Sequence, residues 1–194
     1  MKIFSACFPS INNRKENEKE ISVDGLDKKI HSAIIKNHCI SKSACHHTAI
    51  EIAMFDGKIG KETKSELYKS LENNYSQRYR DIMEIGENNI NSSLVVDQKQ
   101  SGFLNFIKQD GVLCHTAYLK ASDNGSVEYY HTNSMTIDKE ILDECGSNSM
   151  SLVSGSGITH YEMNPSSIAA INRVIASNNW SVSFTPASSL TDLN

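Results

Sequence analysis

Apolar positions Leu26, Ile30, Ala33 and Ile34 recur at helical spacing after an Asp24-Gly25 start signal, which predicts a helix over 26–36. The next stretch, Cys39 to Phe55, carries small and branched apolar residues on most sides and stops at Asp56-Gly57. A helix apolar nearly all round is a buried one. Two polar amphipathic helices follow, over Lys61–Tyr75 and Gln77–Ile85, before Asn88-Asn89-Ile90-Asn91 interrupts the pattern. Ser101 to Gln109 reads as one more short helix.

The pattern then changes. Gly111 to Lys120 reads as a strand, and Ser126 to His131 returns from it across Asp123-Asn124-Gly125. Asn-Gly suits turn positions that require positive φ, so the two runs form a hairpin. A short helix over Ile137–Cys145 and a strand over Ser149–Ser154 follow, with Gly155-Ser156-Gly157 as a turn between strands. Pro165 opens a helix carrying Ile168, Ala170, Ile171, Val174 and Ile175, and Trp180 to Phe184 alternates as a last strand. Helices first and an antiparallel sheet afterwards make an α+β arrangement.

A chain of 194 residues, 39% hydrophobic and 22% charged, can bury the core of one domain. The net charge of −4 provides no basic footprint for nucleic acid, and no apolar run reaches the length of a membrane span. Met1 to Pro9 is too short in its apolar part for a cleaved signal peptide. The polar tract Ser10–Ser22 has the composition of a disordered leader, so residues 1–22 are expected to precede a single domain over 23–194. Five cysteines without a CxxC pair argue against a disulfide scaffold and for folding in a reducing compartment.

Candidate chemistry follows from those cysteines. Cys39 begins the buried helix, where orphan N–H groups and the macrodipole favour a thiolate. Cys45, followed by His46-His47, is its rival, lying about two turns further into the same expected helix. A cysteine hydrolase also needs an imidazole and a polar group that holds the imidazole's tautomer. His115 begins one hairpin strand, and His131 and Asn133 end the other, so either can lie beside it. Cys114, next to His115 in a strand, should point to the opposite face.

These residues resemble the papain-like cysteine peptidases. Cys39-Ile40 followed by Ser43-Ala44 matches the nucleophile helix of that family, and His131 lies at its usual remove from His115. Asn133-Ser134 resembles the papain Asn-Ser, so the third member is His131 or Asn133. The family's oxyanion-hole glutamine would fall on Ala33, leaving Asn37 or the Cys39 backbone N–H to serve instead. The chain is most similar to small papain-fold effectors that bacterial pathogens inject into host cells, some of them proteases and some glutamine deamidases. The resemblance implies a papain-like fold, a monomer acting on a host protein in a reducing cytosol, and no cofactor. Its implied reaction is proteolysis, with deamidation or another acyl transfer as the alternative and a non-enzymatic binding effector as a third reading.

Other constellations lead less far. His38-Cys39 and Cys45-His46-His47 offer zinc ligands, but His46 and His47 diverge on a helix and no second ligand pair follows, so no metal is expected. The glycine cluster at 155–157 lacks phosphate-loop spacing. His160 is expected on the surface, and Tyr68, Tyr75 and Tyr79 are expected to pack helices.

Overall fold

The leading helical pattern forms the helix it predicts. In the computed structural model, which describes residues 25–35, 45–72, 77–86, 90–96, 99–132, 150–153 and 158–190, α1 spans Gly25–Ile35 and buries Leu26 and Ile30. The second helix, α2, spans Cys45–Phe55 and is buried on nearly every side, including Ala49, Ile50, Ile52 and Ala53. Helices α3 (Lys61–Leu71) and α4 (Gln77–Ile82) are amphipathic, and Glu62 and Lys69 complement the dipole at the two ends of α3.

The expected helix over 101–109 is instead strand β1, Gly102–Ile107. All six of its residues are buried, so the period-two alternation that identifies a strand is erased. Gly102 shows how tightly β1 is held: a Cβ there would stand 2.3 Å from the Thr185 carbonyl oxygen. The hairpin is as expected, with β2 at Leu113–Ala121 and β3 at Val127–Thr132. Gly125 turns it with φ of 84°, and Asn124 Oδ1 accepts from the Ser126 N–H at 2.9 Å. Strands β4 (Met150–Val153) and β5 (Ile158–Glu162) precede α5 (Pro165–Ser177), which Asn164 caps by accepting from the Ser167 N–H at 2.9 Å. Strand β6 (Ser181–Pro186) leads into a 3-10 turn at Ala187–Leu190. The expected helix over 137–145 and the turn over 155–157 lie outside the described residues.

The six strands form one antiparallel sheet in the order β4-β5-β3-β2-β1-β6. Each face has its own core. On one face Phe103, Tyr118 and Tyr130 meet the apolar sides of α1 to α4, with α2 lying over β2 and β3. On the other, Leu104, Phe106, Leu119 and Tyr129 meet Ile171, Val174 and Ile175 of α5. The fold is α+β, and among the described residues no helix is long and apolar enough to cross a membrane.

The pairing of β1 with β2 slips once. Phe106 faces His115, but its neighbour Ile107 faces Leu113, so Cys114 is the extra residue of a bulge. Strict alternation therefore fails there. Cys114 packs beside the second core, and the His115 ring also lies against Phe106 of that core, 5.5 Å between centroids. The expectation that Cys114 and His115 face apart is corrected on that ground.

Candidate thiol site

Four elements contribute polar side chains around Cys45 and His46. Helix α2 contributes Cys45 and His46, and β2, against which it packs, contributes His115 and Thr116. Register places Asn105 of β1 opposite Thr116, and the neighbouring β6 contributes Thr185. All are buried: Cys45 retains 6% of its surface, His46 1% and His115 none.

The sulfur is the chemical centre. Burial by itself would raise the Cys45 pKa, since a thiolate is costly away from water. Hydrogen bonds from His115 and then His46, with the charges of both rings, overcome that cost and lower it to about 5. At Cys114 burial outweighs the lowering effects of Lys108 and a backbone hydrogen bond, so its thiol is pushed up to about 11 while it donates to the Phe106 carbonyl at 3.3 Å. Of these two cysteines, Cys45 is the one poised as a nucleophile at neutral pH.

The rings are held from behind. His46 Nδ1 stands 2.7 Å from Thr116 Oγ1, which donates to Asn105 Oδ1 at 2.8 Å. Asn105 Nδ2 reaches Thr185 Oγ1 at 3.4 Å, and Thr185 donates to the Met83 carbonyl. Tyr79 of α4 meets the His46 ring edge-on at 5.7 Å. His47 points to a separate group: its ring packs on Tyr68, whose hydroxyl donates to Glu51 at 2.5 Å while Lys64 pairs with Glu51 at 2.6 Å. Burial, then the charge of His46, lowers the His47 pKa.

His115 is thus beside a thiol, as a hydrolase requires, and the thiol is that of Cys45. Cys45 lies on α2, next to His46. Cys39, Asn37 and Asn133 lie outside the described residues. His131 is buried on β3, pairs with Thr159 and sets its ring against Tyr129 at 5.2 Å. His160, expected on the surface, is mostly covered: it stacks on Tyr130 at 4.9 Å and faces Glu128 at 3.5 Å. Sequence reasoning weighed His46 as a metal ligand and as a neighbour that kept Cys45 in play, and it missed Asn105, Thr116 and Thr185. The adjacency Cys45-His46 was the available signal for the first. The other three are ordinary strand residues until strand pairing joins them.

Among the described residues no group of three or more His, Cys, Asp or Glu side chains is arranged to hold a metal ion. A family model described as a domain of unknown function, DUF8038, matches residues 22–193. No curated protein and no solved structure matches the chain.

Proposed function

This chain belongs to the DUF8038 family, a domain of unknown function, and for it we propose thiol-based acyl chemistry with Cys45 as the nucleophile. One observation carries the reading: a buried thiol lowered to about 5 by hydrogen bonds to two imidazoles, those of His115 and His46. The Cys45 thiolate adds to a substrate carbonyl carbon, and the electron pair of the carbonyl moves to oxygen. As the tetrahedral species collapses, the C–N bond breaks and His115, charged by the proton it took from the Cys45 thiol, delivers that proton to the departing nitrogen. Water, deprotonated by the same ring, then hydrolyses the thioester and frees Cys45.

The substrate class rests on resemblance. A cysteine-bearing helix ahead of a histidine-bearing strand, in an α+β fold, is the order of the papain-like peptidases. That supports proteolysis of a host protein by a secreted bacterial effector, with glutamine deamidation as the same chemistry on a side-chain amide. Relative to the expectation from sequence, the nucleophile moves from Cys39 to Cys45, while His115 keeps its role.

Host-cell extract treated with the protein and compared by mass spectrometry tests this. New peptide termini mean proteolysis, and glutamine-to-glutamate conversion means deamidation. Cys45→Ala should abolish either change and Cys39→Ala should preserve it. Loss of the reading would follow if Cys45 alkylated no faster than free cysteine and Cys45→Ala kept full activity.

A further inference from the structure

The hydrogen bonds behind His46 run in one direction only. A backbone carbonyl accepts and never donates, so the Thr185 hydroxyl must spend its single proton on Met83. Thr185 Oγ1 then accepts from its other neighbour, which puts the amide nitrogen of Asn105 on that side and its oxygen toward Thr116. Asn105 Oδ1 in turn takes the Thr116 proton. Thr116 Oγ1 has none left for His46, so His46 Nδ1 must be the donor in their 2.7 Å contact. The neutral ring consequently carries its hydrogen on Nδ1 and a lone pair on Nε2.

We propose that His46 is a second proton acceptor for Cys45, positioned by the relay Thr116, Asn105, Thr185 and the Met83 carbonyl. Nδ1 is taken by Thr116, so the nitrogen that serves the sulfur is Nε2. In the transfer the S–H bond breaks, its electron pair stays on sulfur, and an N–H bond forms at Nε2. Nothing behind the ring has to move, because Nδ1–H points at Thr116 in both the neutral and the charged ring. A relay that fits both states keeps the proton within reach of the sulfur without reorganisation. The other titratable groups around this pair are Tyr79 on α4 and Cys114 and His115 on β2, with His47 on α2 acting on it through charge alone.

The inference rests on Cys45 as a reactive thiol, but its test needs no substrate. In the full-length Cys45→Ala protein, with ¹⁵N-labelled histidine and alkaline pH, long-range ¹H–¹⁵N spectra should show His46 as the Nδ1–H tautomer. A predominant Nε2–H tautomer overturns the relay, whatever the protein's activity. In the Cys45-containing protein, thiolate absorbance followed against pH should shift upward by about one unit in Thr116→Val, a tenfold loss of thiolate on the acidic side. Thr116→Ser, which restores the hydroxyl, should return the curve to its original position. An unshifted Thr116→Val curve overturns the role of His46 as acceptor. If instead the tautomer and titration behave as stated and no acyl chemistry is found, the proposed function fails while the relay stands.

Discussion

His46 Nδ1 and the Thr116 hydroxyl, 70 residues apart in the chain, stand 2.7 Å apart in a buried contact. One belongs to the helix that bears the thiol and the other to the strand that bears His115, so this bond ties the two halves of the site together. A buried histidine without such a partner would bear the full cost of its polar nitrogens. The contact therefore serves the fold and the chemistry at once.

Alkylation by a small reagent such as iodoacetamide should report the ionisation of Cys45 directly. The rate should rise through about pH 5 and be flat by neutrality, where a free thiol of pKa about 8.5 is still mostly protonated. Peptide mapping after labelling at pH 6 should find Cys45 modified and Cys114 untouched, although Cys114 is the more exposed. Equal labelling of the two would contradict the electrostatics described above.

Gly102→Ala tests whether the close packing of β1 on β6 is required. The new methyl group meets a backbone oxygen, which cannot rotate aside, and the Phe184 ring at 2.7 Å. A loss of about 1–3 kcal/mol in urea unfolding is expected from overpacking. Because the same strands carry Asn105 and Thr185, the thiol titration should shift upward in the folded variant.

Tyr118→Phe should separate fold from site. Its hydroxyl donates to Asp56 Oδ2 at 2.7 Å, beneath the C-terminal end of α2, and burial already raises the Asp56 pKa. Removing the donor should cost about 1–2 kcal/mol in stability. The Cys45 titration curve should not move, since the ring stays in place.

Glu128 should contribute to acid sensitivity. The hydrogen bond from His160 lowers its pKa, against the opposing effect of burial and with help from Lys120 at 3.3 Å. Its folded value lies below the unfolded one, so the stabilisation is present above the ordinary carboxylate value and disappears as pH falls through the folded value. Glu128→Gln should therefore be less stable by about 1 kcal/mol at pH 7, and the difference should shrink as pH falls below the ordinary carboxylate value. Urea titrations at pH 7 and at a series of acidic pH values measure it.

Local signals determined much of this protein. The all-round apolar face of Ala49, Ile50, Ile52 and Ala53 required a buried helix, because no side of it could face water. Asn124-Gly125 and Asn164-Pro165 set a turn and a helix start by backbone preference alone. Tertiary structure decided the rest. Strand β1 reads as a helix because burial on both faces removes its alternation, and only its place between β2 and β6 makes it a strand. Cys45 becomes the centre because the fold sets two imidazoles on its sulfur, an effect that spacing along the chain does not encode. The direction of the relay depends on a carbonyl at Met83 and a hydroxyl at Thr185, brought together across 102 residues. Hydrogen-bond polarity is a property of the assembled partners and exists only once the strands have paired.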